Sequence, residues 1–217
     1  MPDTHICIGE MLIFWNFFRM GKIYTKKGDA GTTNIHGGEV VEKDCARIEA
    51  NGSLDELNAL LGVVRAFNGN SLNPDKSLED FLSRVQSAFM PMMSIVATPQ
   101  QLRDANPRRF DASLTEECER IVDTLQRKLE DRRNFVHPGG TVVASLLQLS
   151  RTVARRAERR LWSLHREDEV PAEMMAFMNR FSDALFVLAR YENQKNDFPE
   201  EKWEEFYQYR RRTDEKQ

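Results

Sequence analysis

Cysteine is scarce in this chain. Cys7, Cys45 and Cys118 are the three in 217 residues, odd in number, far apart and without a C-x-x-C pair. That excludes a disulfide framework and leads us to expect reduced thiols in a cytoplasmic protein. Long apolar runs are missing too. A short one near the start is Met11–Trp15, resuming at Phe17 and Phe18. It is too short to span a bilayer, and it lacks the basic region and small-residue cleavage site of a secretory signal. No membrane association is expected. There is no excess of positive charge, because 31 basic residues face 34 acidic ones for a net −3. Nucleic-acid binding driven by bulk charge is therefore not expected. Four histidines (His5, His36, His137, His165) have no metal-ligand spacing and no Glu-x-x-His pair, which weakens a di-metal reading. No metal ligands are assigned. Neither a Gly-x-Ser-x-Gly elbow nor a Walker A string occurs.

What is present is ordinary globular material: 41% hydrophobic residues and 30% charged, in a chain long enough for a core without staples. Residues 1–19 read differently from the rest. The expectation is an N-terminal extension, with Met20 as the natural start. Residues 20–193 read as one domain and 194–217 as a tail. Residues 21–50, rich in Gly, Thr, Lys and Asp, read as a long polar loop. Ser53-x-x-Glu56 and Ser113-x-x-Glu116 look like capping boxes opening helices. The first carries Leu54, Leu57, Leu61 and Val64 at helical spacing; the second carries Leu114, Cys118, Ile121 and Leu125. Between them a helix from about Ser77 to Ala97 should kink at Pro91. Further helices are expected from about Thr141 to His165 and from Pro171 to about Asn193, with a short docked helix around Trp203, Phe206 and Tyr207. No strand pattern is evident. The expected fold is all-α, a five-helix up-and-down bundle with a long N-terminal loop.

Four features could carry chemistry. The loop Tyr24–Thr33 combines turning glycines, lysine charge and threonine hydroxyls, which are the needs of a polyphosphate cradle. By composition it reads equally as a solvated arm. On the fourth helix, Arg151, Arg155, Glu158 and Trp162 form a stripe about 120° from the apolar face. Such a stripe is either a solvated cationic face or an anion site, since guanidinium groups hold phosphate oxygens in a bidentate fork. It lies off the core, so a site there would need a second wall, and a neighbouring subunit is the obvious source. Asp55 reads as first-turn dipole compensation or as a holder of an arginine. Asn179 shares a stripe with Met175, Asp183 and Phe186 and is unfavourable in mid-helix unless it meets a partner.

Taken in order, several strings resemble the PduO-type ATP:cob(I)alamin adenosyltransferases. They are Ile23–Thr33, Asn51-Gly-Ser-Leu-Asp-Glu-Leu-Asn58, Phe135-Val-His-Pro-Gly-Gly140, Ser150–Arg159, and Met178–Asp183 continuing through Leu185–Arg190. The resemblance runs from residue 21 to about 193. It implies a five-helix bundle of cobalamin-adenosyltransferase-like, ferritin-like kind, usually a homotrimer with active sites between subunits. It implies transfer of the 5′-deoxyadenosyl group of ATP to cob(I)alamin with release of triphosphate, using ATP with Mg²⁺ and cobalamin as substrate. ATP would be held by Thr25, Lys26, Lys27, Gly28, Thr33, Asn34 and Lys43 of the loop, with Arg155, Arg156, Glu158 and Asn179 from the helices. Arg151 would pair with Asp55 across the interface, and Phe135 would sit below the corrin. A reductase and an adenosylcobalamin-dependent enzyme are the further partners it implies.

The chain departs from the family pattern at His137, Gln148, Lys27 and Ala30. Two other readings stand beside the enzyme. One is a non-catalytic module of the same fold that binds ATP or adenosylcobalamin for delivery or regulation. The other is a structural bundle whose arginine face docks an acidic partner.

Overall fold

The computed structural model describes residues 24, 26–129 and 136–203. Thr25, Phe135, Phe206, Tyr207 and the extension 1–19 lie outside the described residues. Five long helices make the bundle: α1 Ala46–Gly69, α2 Lys76–Val96, α3 Ser113–Lys128, α4 Val142–His165 and α5 Ala172–Lys195. A short 3-10 helix, Gln100–Ala105, follows α2. Helix α1 packs against α2 and α4, and α5 packs against α4 and α3. Aromatic rings close the circle through the middle, where Phe89 of α2 meets Phe177 and Phe181 of α5 edge-on. Leu54, Leu57, Leu61, Leu82, Met92, Leu147 and Leu161 are fully buried around them. Their burial from three different helices, around rings of α2 and α5, is the driving force that holds short-looped amphipathic helices together. Among the described residues no helix is long and apolar enough to cross a membrane.

The expected bundle is present, and several local expectations are corrected. The segment before α1 is not an unstructured loop. β1 Thr32–Asn34 and β2 Val40–Glu42 form an antiparallel hairpin with Thr33 opposite Val41. Strands of three residues are too short to produce a readable alternation. Helix α1 begins at Ala46, not at Ser53. Ser53 donates its hydroxyl back to the Glu49 carbonyl at 2.8 Å, in mid-helix. Tertiary anchoring of the first turn by buried Arg47 overrides the cap-like pattern: its guanidinium bonds to the Val96 carbonyl and to Asp168. Asp55 is therefore in the third turn, and dipole compensation no longer explains it. Ser113-x-x-Glu116 is not a capping box either. The Ser113 N–H and hydroxyl both bond to Asp111 Oδ1, at 3.0 and 2.7 Å. The side-chain caps that do form are Asp75 on the Leu78 N–H and Thr141 on the Ala144 N–H. The docked helix expected around Trp203, Phe206 and Tyr207 falls largely outside the described residues. Just before it, Lys202 makes an antiparallel bridge with Val136.

Candidate active site

Helix α4 turns its off-core stripe toward α5. Arg151 and Arg155 line a cavity of about 270 Å³ with Asp183, Phe186 and Arg190 of α5 and Val122 and Gln126 of α3. Arg151 is half-buried, with its guanidinium 5.9 Å from the centre of the Phe186 ring. Burial, and after it the charge of Arg155, hold Arg151 below its ordinary pKa. It stays protonated at neutral pH all the same. Neither Arg151 nor Arg155 makes an ion pair among the described residues. The one hydrogen bond recorded for the Arg151 guanidinium is from Nε to Gln148 Oε1, at 2.8 Å. Two cations side by side, one half-buried and without a counter-charge, are an arrangement waiting for an anion.

One turn further along, Glu158 Oε1 accepts from Asn179 Nδ2 at 3.2 Å, so these two expected site residues are brought together. Arg156 is not. It points to α1 and pairs with Glu56. Asp55 is exposed, and no ion pair joins it to Arg151 among the described residues.

The loop forms a second centre. The hairpin returns Lys43 over Gly28, so that a Cβ at 28 would lie 2.9 Å from the Lys43 ammonium. The Lys43 N–H bonds to the Gly31 carbonyl at 2.9 Å. Lys26 sits at φ +61, an uncommon conformation for a non-glycine residue. Lys26, Lys27, Asn34 and Lys43 are exposed, while Gly28 and Thr33 are half-buried. Asn34 Nδ2 donates to the Gly38 carbonyl at 3.3 Å. The hairpin is docked at the far end of α2, where the His36 N–H meets the Ala97 carbonyl. Among the described residues 26–43, no hydrogen bond or ion pair joins this loop to Arg151 or Arg155.

Sequence reading did not list Gln148, Phe186, Asp183 or Arg190 as site residues. Asp183 and Phe186 share the Asn179 stripe, which was the available signal. Arg190 is buried, and burial of an arginine has no local sequence signature. The departure at Gln148 proves to be the hydrogen-bond partner of Arg151. His137 is exposed and uses its backbone N–H to bond the Glu201 carbonyl at 2.8 Å. A larger groove of about 550 Å³ runs between α2 and α3. Its charged groups are already matched with each other or with neighbours, as Arg84–Glu117 and Asp75–Lys195. The smaller cavity, where Arg151 and Arg155 make no ion pair among the described residues, has the stronger chemistry. Burial pushes the Cys118 thiol up to about 12, so it is no nucleophile at neutral pH.

A profile of the family described as cobalamin adenosyltransferase matches residues 23–192. The corrinoid adenosyltransferase of Mycobacterium leprae is 35% identical over 182 residues, 81% of this chain and 93% of that protein. The corrinoid adenosyltransferase PduO of Salmonella typhimurium is 35% identical over 171 residues, 79% of this chain but 49% of its own longer sequence. Among solved structures, a phenylalanine-to-alanine variant of the PduO-type ATP:corrinoid adenosyltransferase from Lactobacillus reuteri, complexed with cobalamin and ATP, superposes with a TM-score of 0.77. Identity to it is 32%, and the match covers 84% of this chain and 99% of that one.

Proposed function

The chain belongs to the cobalamin adenosyltransferase family, and from that premise we propose how its residues divide the work. The protein is an ATP:corrinoid adenosyltransferase. It transfers the adenosyl group of ATP to cobalamin, with ATP as cosubstrate and cobalamin as substrate. In the reaction, reduced cobalt attacks C5′ of ATP; the new Co–C bond forms as the C5′–O bond breaks, and the electron pair leaves with triphosphate. The cobalt supplies the nucleophile and no side chain need take a proton, so the protein's part is binding, orientation and field.

Negative charge grows on the departing triphosphate. The groups we assign to it are Arg155 on α4 and Lys26, Lys27 and Lys43 of the loop, with Thr25, Gly28, Thr33 and Asn34 supplying backbone and hydroxyl or amide contacts. Arg156 joins them only by giving up Glu56. Glu158, held by Asn179, faces the same region. Mg²⁺ accompanies ATP in this reading. It would be carried mainly by phosphate oxygens and water. The ion would offset charge on the leaving group. On the cobalamin side we assign Arg151, and Phe135 as the apolar wedge that keeps the lower axial ligand off cobalt.

The assembly we propose is a homotrimer with sites between subunits, in the cytoplasm. The observation that carries this reading is the pair Arg151 and Arg155, adjacent on one cavity and without an ion pair. A cavity of about 270 Å³ is also small beside the roughly 300–1,000 Å³ usual for ligand sites. A neighbour's Asp55 and hairpin would supply the missing counter-charge and the second wall. The test is anaerobic incubation with ATP, Mg²⁺ and chemically reduced cobalamin, followed by absorbance. Appearance of the adenosylcobalamin spectrum supports the enzyme. ATP binding without that spectrum would replace it with the non-catalytic binding module.

A further inference from the structure

Contacts from beyond the bundle converge on the same cavity. Arg190 lines it and is only 3% exposed. A guanidinium so deeply buried requires a counter-charge. Its partner is Glu200, which lies off the helix in the segment after α5. Nε donates to Oε1 at 2.9 Å and Nη2 to Oε2 at 2.6 Å, a bidentate fork of the strong, geometrically selective kind. The same segment is tied to the turn that precedes α4. The His137 N–H donates to the Glu201 carbonyl at 2.8 Å, and Val136 bridges Lys202. Inside the cavity, the Arg190 guanidinium stands 5.8 Å from the centre of the Phe186 ring. Arg151 stands 5.9 Å from that same centre. Contacts thus run from Glu200 through Arg190 and Phe186 to Arg151.

Two guanidinium groups near one ring repel each other, and a third, Arg155, is close by. Glu200 neutralises one of them in place. Without its charge the Arg190 guanidinium loses the fork that fixes its direction, and Asp183, another lining residue of the cavity, competes for it. The ring on which Arg151 rests would lose its other neighbour.

We propose that Glu200 is a positioning residue for the cobalamin side of the site. It holds Arg190 against Phe186 and so sets Arg151, while its segment clamps the Val136–His137 turn. This rests on the reading that Arg151 and that turn serve cobalamin rather than ATP. The test compares full-length wild type, Glu200→Gln and Glu200→Asp for KM toward each substrate and for thermal midpoint. Glu200→Gln should raise KM for cobalamin about tenfold and leave KM for ATP within about twofold. Glu200→Asp, which keeps the charge, should recover most of the loss. Arg190→Lys, which keeps a cation but loses the fork, should reproduce the cobalamin-selective defect and serves if Glu200→Gln does not fold. Binding of cob(II)alamin to the ATP-loaded enzyme gives a direct readout. The electron paramagnetic resonance signal of four-coordinate cobalt should fall at least about threefold in Glu200→Gln. An unchanged cobalamin KM, an equal rise for both substrates, or a lowered thermal midpoint with both KM values intact would overturn the positioning role. Wild type that forms no adenosylcobalamin would defeat the underlying functional reading instead.

Discussion

Replacing Arg155 with alanine removes a charge from the side of the cavity that we assign to the leaving group, and nothing from the core, since the side chain is exposed. The expected result is a fall in kcat/KM of more than about tenfold with a thermal midpoint close to wild type, because charge-assisted contacts to phosphate contribute mainly where charge develops. Steady-state kinetics beside a melting curve checks it. Gly140 makes a different kind of demand. Its φ is +110, and a Cβ there would lie 2.0 Å from Asn193 Oδ1. Asn193 cannot yield, because it accepts from the Thr141 N–H and donates to the Gly139 carbonyl, both at 3.0 Å. Gly140→Ala should therefore cost at least about 2 kcal/mol in urea unfolding. The Pro-Gly-Gly string advertised a turn in the sequence. The reason for the second glycine, an asparagine from 53 residues further on, is a tertiary contact. Gln148 teaches the same lesson: as a letter it is a departure from pattern, and in space it is the acceptor for Arg151. Its amide oxygen accepts at any pH, whereas a histidine would accept only when neutral.

At the scale of elements, the helices whose apolar residues recur at three and four were legible, and so were their approximate ends. Four of their starts were legible as well, and only that of α1 was not. The cap of α2 is Asp75, immediately before the helix. Burial of Asp75 works against its charge, but the Leu78 N–H and Lys195 outweigh it, and the net pKa is lowered. A carboxylate with a lowered folded-state pKa contributes stability that is present above its unfolded value, roughly 3.9, and lost as pH falls through the folded value. Asp75→Ala should lower stability by about 1 kcal/mol near neutral pH. The gap to wild type should close in strong acid. Thermal midpoints recorded across that range would show it. The hairpin was invisible because its strands are too short to alternate and because its docking partner, Ala97, belongs to another element. The start of α1 escaped for a related reason: Arg47 anchors it to the end of α2 and to Asp168, contacts that no local window contains.

At the scale of the whole molecule, the loop sits at the end of α2 while Arg151 and Arg155 line a cavity against α5 and α3, and no ion pair joins Asp55 to Arg151 among the described residues. If the site is shared between subunits, Asp55→Ala and Arg151→Ala should each be poorly active alone. Co-expressed in equal amounts, they should restore about a quarter of the sites, since a heterologous interface needs one intact partner of each kind. Activity that stays at the level of the separate variants would exclude sharing. Sedimentation of the wild type as a trimer is the matching expectation. The sequence by itself determined the all-helical bundle, the absence of a spanning segment and the cationic stripe on α4. Those depend on periodicity and composition, which are properties of neighbouring residues. Only the tertiary structure decided which residues meet that stripe: Phe186, Arg190 and, through it, Glu200. It also decided that the loop folds back as a hairpin with Lys43 over Gly28. These depend on approach between residues distant in the chain, and that approach is set by how buried faces pack rather than by any pattern within one segment.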